Sequence, residues 1–168
     1  MKQIVFISFL FTALIGCKPT GSDFVPLSAG VSSMDSVAIR FIAALNEGDT
    51  AAIGNLVISE YEHNQLLLPE FHLHYPAATP DQADVIWENL SKKILKGSLY
   101  LIGNHMKRNY QFKSLTFEDP VEEFKTFRIH TNSLLTVLDS TGAERSFKLF
   151  GSVVERNGQY KILSYREP

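Results

Sequence analysis

Residues 147–167 read FKLFGSVVERNGQYKILSYRE, and this stretch predicts the closing hairpin of an antiparallel sheet. The period of residues 160–165 is two, which is typical of a strand. Asn157-Gly158 favours a two-residue turn because both positions accept positive φ angles. We therefore expect strands at 145–155 and 159–166 that pair with each other.

The same period of two begins at Tyr110 and predicts two earlier strands, at 110–118 and 124–138. The turn-forming residues of 139–142, DSTG, predict a second hairpin. The second half of the chain is thus expected to be a meander of antiparallel strands.

Upstream of Tyr110 the apolar residues follow helical spacing. Val37, Phe41 and Leu45 predict the buried face of a first helix that Gly48 ends. A short second helix is expected at about 51–57. A third is expected from 80 to about Met106, with Gly97 as a bend or break. Helices followed by antiparallel strands predict an α+β fold.

The middle of the chain, 60–80, contains three prolines, which predict that it holds no long regular element. Its EFHLHY stretch, 70–75, has the densest cluster of chemically versatile side chains. In an extended segment, His72 and His74 would point the same way and could hold a metal or share a proton. A loop whose histidines bond to backbone or solvent explains the same residues, and we favour that interpretation. We predict no metal and no cofactor.

Two stretches, AIRFIAALNEGDTAAIGNLV at 38–57 and the closing 147–167, resemble the NTF2-like (cystatin-like α+β) superfamily. The resemblance implies a cone in which N-terminal helices pack on a curved antiparallel sheet, with a cavity between them. Some members use that cavity for catalysis and others only bind ligands or partners. The segments Trp-x-x-Leu at 87–90 and LFGS-x-x-ER-x-G at 149–158 also resemble bacterial lipoproteins of no known activity.

His130 and Arg128 share one face of the predicted strand 124–138. If this face lined the cone, the two side chains would form a polar floor for a small acidic ligand. If it faced outward, they would be the solvated side of an antiparallel strand, and we favour this interpretation. The weak candidates for a ligand site are therefore His72, His74, Tyr75, His130 and Arg128, with the first three expected to approach the sheet near His130.

The first residues of the chain predict that the protein is attached to a membrane. An apolar run closes in Leu14-Ile15-Gly16-Cys17, which resembles the lipobox of bacterial lipoproteins. The resemblance implies cleavage before Cys17 and lipid on its thiol. We expect a signal peptide at 1–16, a flexible tether at 17–32 and the NTF2-like domain at 33–168, attached to a membrane of the bacterial envelope outside the cytoplasm.

The composition excludes several functions. The 168 residues carry 16 Lys and Arg against 18 Asp and Glu, a formal net charge of −2, with no basic stripe for nucleic acid. One cysteine permits no internal disulfide. No P-loop, dinucleotide-binding glycine pattern, HExxH or CxxC occurs.

Two functions fit the sequence. The first is an envelope module that binds a small apolar ligand or an envelope protein without catalysis, and we favour it. The alternative is a small isomerase, dehydratase or hydrolase acting on an apolar substrate in the cone. The catalytic motifs of the superfamily have no residue-by-residue match in this chain.

Overall fold

A computed structural model describes residues 25–166 and has an α+β fold, as the sequence predicts. Four α-helices come first: α1 Met34–Glu47, α2 Thr50–Asn55, α3 Leu68–His74 and α4 Ala83–His105. A π-helix, Glu62–Leu67, precedes α3, and a 3₁₀ turn, Pro80–Gln82, precedes α4. Seven strands follow: β1 Gln111–Phe117, β2 Glu122–Glu123, β3 Arg128–Thr131, β4 Ser133–Leu138, β5 Glu144–Phe147, β6 Phe150–Arg156 and β7 Gln159–Tyr165.

The capping residues explain the first two helices. The Ser33 hydroxyl accepts from the Ser36 N–H at 3.1 Å and begins α1, while Gly48 ends it with φ 79°. The Asp49 carboxylate accepts from the Ala52 N–H at 2.9 Å and begins α2. The expected helix, Gly-Asp, helix sequence is confirmed.

The prediction that 60–80 holds no long regular element is wrong, because 62–74 is continuously helical. Pro69 lies in the first turn of α3, where a missing N–H costs no hydrogen bond. The sequence Ser59-x-x-Glu62 forms a capping box at the start of this helical stretch. The Ser59 N–H donates to the Glu62 carboxylate at 2.7 Å, and the Glu62 N–H donates back to the Ser59 hydroxyl at 3.2 Å.

The strands form two antiparallel sheets, β1-β4-β5 and β2-β3-β6-β7. Each of the two long predicted strands is broken, and its halves belong to different sheets. The break in 124–138 is at Asn132, whose φ of 56° interrupts an extended strand, and the break in 145–155 is at 148–149. The Lys148 ammonium donates to the Asn132 side chain at 3.0 Å and joins the two breaks into one corner.

The closing hairpin is confirmed. β6 and β7 pair from Phe150↔Tyr165 to Arg156↔Gln159, and the turn residues Asn157 and Gly158 have φ of 50° and 70°. Two further segments join the β7 edge: Val31 bridges Tyr160 antiparallel, and Val57 bridges Ile162 parallel.

The described part of the expected tether, 25–32, packs on the domain instead of leading away from it. Leu27 and Val31 are each only 2 % exposed, and the Val31 N–H donates to the Tyr160 carbonyl at 3.1 Å. Apolar burial together with strand pairing explains why these residues are held.

Both faces of the four-stranded sheet are covered by apolar side chains. On one face, Phe41 of α1 contacts Phe150 and Tyr165, with ring centroids 4.9 and 6.0 Å apart. On the other, Ile129, Val154 and Leu163 pack against Leu67 and aromatic residues of α3 and α4. The space between α1 and the sheet is therefore filled by aromatic rings.

Gly97 was expected to bend or break its helix, but α4 runs through it from 83 to 105. A Cβ added at Gly97 would lie 2.4 Å from the Tyr165 Cβ. The glycine thus lets α4 lie directly on β7, and its role is close packing.

We expect Gly97→Ala to destabilise the fold by about 1–3 kcal/mol, because α4 must shift away from Tyr165. Urea unfolding followed by circular dichroism measures the change. Gly103→Ala is the matched control in the same helix: an added Cβ there meets nothing within 4 Å. That control should stabilise by about 0.5–1 kcal/mol. Equal effects at both glycines would contradict the close-packing role of Gly97.

Candidate functional site

A buried ion pair joins the π-helix to the closing hairpin. The Lys161 ammonium of β7 lies 2.8 Å from the Glu62 carboxylate, and the two side chains are 4 % and 2 % exposed. The same carboxylate accepts from the backbone and hydroxyl groups of Ser28, at 2.6 and 3.1 Å, and of Ser59, at 2.7 and 3.0 Å. Glu62 therefore holds the residue 25–32 segment, the start of the π-helix and β7 together.

The environment of Glu62 keeps it ionised. Burial raises the pKa of this carboxyl. The hydrogen bonds from Lys161 and Ser59 and the Lys161 charge lower it by more than burial raises it, so the pKa lies below its usual 4.5. The adjacent His63 is buried, and burial lowers its imidazole pKa. Its Nδ1 lies 2.6 Å from the Asn64 side-chain oxygen, and its ring packs beside Trp87 at 5.5 Å. A neutral imidazole suits this apolar surrounding.

A second buried polar group ties α3 to the sheet. The Arg156 guanidinium donates to the Val25 carbonyl at 2.9 Å and to the Thr126 hydroxyl. The Thr126 N–H in turn donates to the Glu70 carboxylate of α3 at 3.1 Å. These bonds hold Val25, Thr126 and α3 in position relative to β6.

The three candidate residues of 70–75 lie on or next to α3 and do not form one cluster. His72 and His74 are two residues apart on a helix, so they point to different faces and not to one side as in an extended segment. The His74 ring contacts Phe124 at 4.6 Å, and the Tyr75 hydroxyl donates to Glu122. His72 Nδ1 is buried and has no hydrogen-bond partner among residues 25–166.

His130 is buried and not on an outward face, which corrects the interpretation that we favoured from the sequence. Its Nε2 lies 3.1 Å from the Glu155 carboxylate and its ring 5.4 Å from Phe117. Arg128, in contrast, is 52 % exposed at its side chain and lies 3.3 Å from Glu123 and 3.5 Å from Glu155. The strand end at Arg128 is open, whereas Phe117 covers His130.

The expected approach of His72, His74 or Tyr75 to the sheet near His130 does not occur. Neighbouring residues of a strand point to opposite faces, and Ile129 packs with Phe71 and Phe124 on the α3 face. His130 therefore lies on the other face of the sheet from α3.

The cavities lie at the surface of the domain. One of about 290 Å³ is lined by the β2–β3 connection, Arg128 and Glu155. Another of about 370 Å³ lies between α1 and α2 beside Ala29. Three more, of about 370, 350 and 380 Å³, follow α4 along the corner of the sheet and β5.

The middle cavity along α4 includes His105. Burial and the nearby Arg108 charge lower the pKa of this imidazole. Its ring lies edge-on to Phe147 at 4.8 Å, and its Nδ1 is 3.4 Å from the Tyr110 hydroxyl. His105 is therefore a neutral, partly apolar wall of that cavity.

Among residues 25–166, no group of three or more His, Cys, Asp or Glu side chains is arranged to hold a metal ion. Over the same residues, no helix is long and apolar enough to cross a membrane. Cys17 lies outside the described residues. No family model, curated protein or solved structure matches this chain.

Sequence reasoning missed the Glu62–Lys161 pair. The Ser59-x-x-Glu62 capping box was visible, but it predicts only a helix start. A lysine in an alternating strand is normally on the solvated face, and nothing local indicates that a helix from 99 residues earlier covers it.

We expect Glu62→Gln to lower the free energy of unfolding by about 3–5 kcal/mol, because it leaves the Lys161 charge buried without its counter-ion. Adding Lys161→Met should recover part of this loss, since it removes the unpaired charge. Chemical unfolding of the parent, both single variants and the double variant measures the coupling. If Glu62→Gln and the double variant lost the same free energy of unfolding, the coupling between Glu62 and Lys161 would be contradicted.

The pH dependence has a definite sign. The folded pKa of Glu62 is below its usual 4.5, so the pair stabilises the fold above that pH and the contribution is lost as the pH falls through the folded pKa. Glu62→Gln should flatten the fall in stability below about pH 4.5. The control is Glu88→Gln, at the exposed Glu88–Lys92 pair of α4, which should leave the acid profile nearly unchanged.

Proposed function

We propose that this protein is a lipid-anchored module of the bacterial cell envelope that binds a ligand or partner through its surface, without catalysis. The anchor would be lipid on Cys17, with the domain outside the cytoplasm. The support for the anchor is Leu14-Ile15-Gly16-Cys17 at the end of a short apolar run.

The packing of residues 25–32 agrees with a close attachment. Val25 is eight positions after Cys17, and eight residues span at most about 28 Å. A lipid on Cys17 would therefore keep the domain near the bilayer. One acyl chain anchors only marginally, so we propose at least two.

One observation carries the binding role: the buried charged groups are used to join segments of the fold. Glu62 bonds to Lys161, Ser28 and Ser59, and Arg156 bonds to Val25 and Thr126. A general acid or base must reach its substrate, whereas Glu62 and Lys161 face each other. The surface cavities are where we propose that a ligand binds.

We also propose that the domain is NTF2-like. Its helices precede the strands, a long bent hairpin links the two sheets, and Val57 bridges Ile162 of the last strand in parallel. This arrangement is compatible with the cone that the superfamily implies. In this chain, Phe41, Phe150 and Tyr165 fill the space beneath α1.

Cys17→Ala tests the anchor. In bacteria fed an alkyne-tagged fatty acid, we expect the label on the parent protein and its loss from the variant, because the thiol is the attachment point. Mass spectrometry of the mature parent should find an acylated Cys17 at the N-terminus. Ser8→Ala, within the apolar run, is the control and should keep the label. Equal labelling of the parent and of Cys17→Ala would remove the anchor proposal.

A further inference from the structure

The β5 strand has one edge without a strand partner in the described part of the chain. β5 pairs with β4, and its continuation β6 pairs with β7. β7 ends where the Arg166 N–H donates to the Leu149 carbonyl at 2.9 Å. A longer β7 would continue beyond that bond and lie next to β5. Among residues 25–166, no strand occupies this position. An edge of this kind offers backbone donors and acceptors to another chain.

A groove runs along this edge. Arg166 lines both the cavity at the sheet corner and the one beside Tyr100 and His105, and Phe147 lines both that cavity and the next. The three cavities, of about 370, 350 and 380 Å³, are therefore neighbours between α4 and the strands. We call this the α4–β5 groove. Three neighbouring cavities along a strand suit an extended chain better than a compact small molecule.

Cations outnumber carboxylates in the lining of the groove, where the carboxylates are Asp119 and Asp139. Lys148 pairs with Glu118 and Arg145 with Asp139. Lys93, Arg108 and Arg166 have no carboxylate partner among residues 25–166; Arg108 and Arg166 contact only neutral oxygens there, at 3.4 Å each. Such cations at three successive places complement a chain with several carboxylates.

Aromatic side chains stand among these cations. Tyr100, His105 and Phe147 line the middle cavity, and Tyr110 lines the next. A strand presents its side chains alternately to two sides. A peptide that alternates acidic and apolar residues could place one set near the cations and the other near the rings.

We propose that the α4–β5 groove binds an extended acidic segment of a partner polypeptide, which adds to the sheet as a strand beside β5. Backbone hydrogen bonds to the β5 edge would supply affinity, and the cations would select for acidic residues. This inference deepens the binding role proposed above and is independent of the lipid anchor.

The probe is a fluorescein-labelled octapeptide that alternates Glu and Val, titrated with the full chain in detergent and followed by fluorescence anisotropy. We expect saturable binding that weakens as salt is added, because exposed charges are screened. The matching Lys–Val octapeptide should not bind. Absence of saturable binding by the Glu–Val probe would overturn the proposal.

Charge reversal locates the site. The double variant Lys93→Glu, Arg166→Glu should weaken binding by about tenfold or more, since attraction becomes repulsion. Arg40→Glu, on the exposed side of α1, is the control and should bind like the parent. Thermal melts establish that the variants are folded. Equal affinity of the folded double variant and the parent would contradict the site.

A second probe needs no variant and tests the strand pairing. A Glu–Val octapeptide with alternate backbone nitrogens methylated keeps its charge but cannot complete a strand ladder on the methylated edge. Two such peptides, methylated on the odd or on the even positions, should differ: one should fail to bind and the other should bind. Equal binding of both would overturn strand addition, and binding of an anionic polysaccharide in place of the peptide would overturn the polypeptide assignment.

The peptide titration and the lipid-labelling experiment can refute the groove and the anchor independently of each other. The Cys17→Ala full chain should bind the Glu–Val probe as the parent does, because the groove is within 93–166. Loss of labelling with unchanged peptide binding supports both proposals. Peptide binding without any lipid on the parent would remove the anchor and leave the groove.

Discussion

The arrangement of this domain depends on the hydrogen bonds and ion pair that the Glu62 carboxylate forms. It receives hydrogen bonds from Ser28, Ser59 and Lys161, which lie in three segments far apart in sequence. A buried charge is costly unless its hydrogen-bonding capacity is met, so these segments must come together or the fold loses its stability there.

The bend of the sheets is the second constraint. Asn132 and Lys148 form a corner at which a single long hairpin passes from one sheet to the other. Gly97 brings α4 onto β7 at the same end of the molecule. Because β7 stops at the corner while β5 continues past it, the fold leaves an edge and a groove beside α4. The groove is thus a consequence of how the bend and the close helix packing combine.

The polar groups of this molecule fall into two sets, one buried in the interior and one at the surface. Interior charges bond to one another and to backbone groups, and the aromatic core fills the space beneath α1. The groups that line the open cavities are cations, carboxylates, hydroxyls and rings at the surface. We infer that recognition takes place at the surface of the domain, where desolvation costs are lower and an edge strand is accessible.

Local patterns of the sequence determined the α+β order, the first two helices and the Asn157-Gly158 hairpin, because caps, turns and periodicity act over a few residues. They also held the Ser59-x-x-Glu62 box, although three prolines led us to expect irregular structure there. Only the tertiary structure decided that Lys161 and His130 are buried, that the long strands change sheets, and that His72 and His74 lie on a helix away from His130. Those outcomes depend on which distant segment covers each side chain, and a covering residue such as Glu62 or Phe117 leaves no mark on the sequence of the strand that it covers.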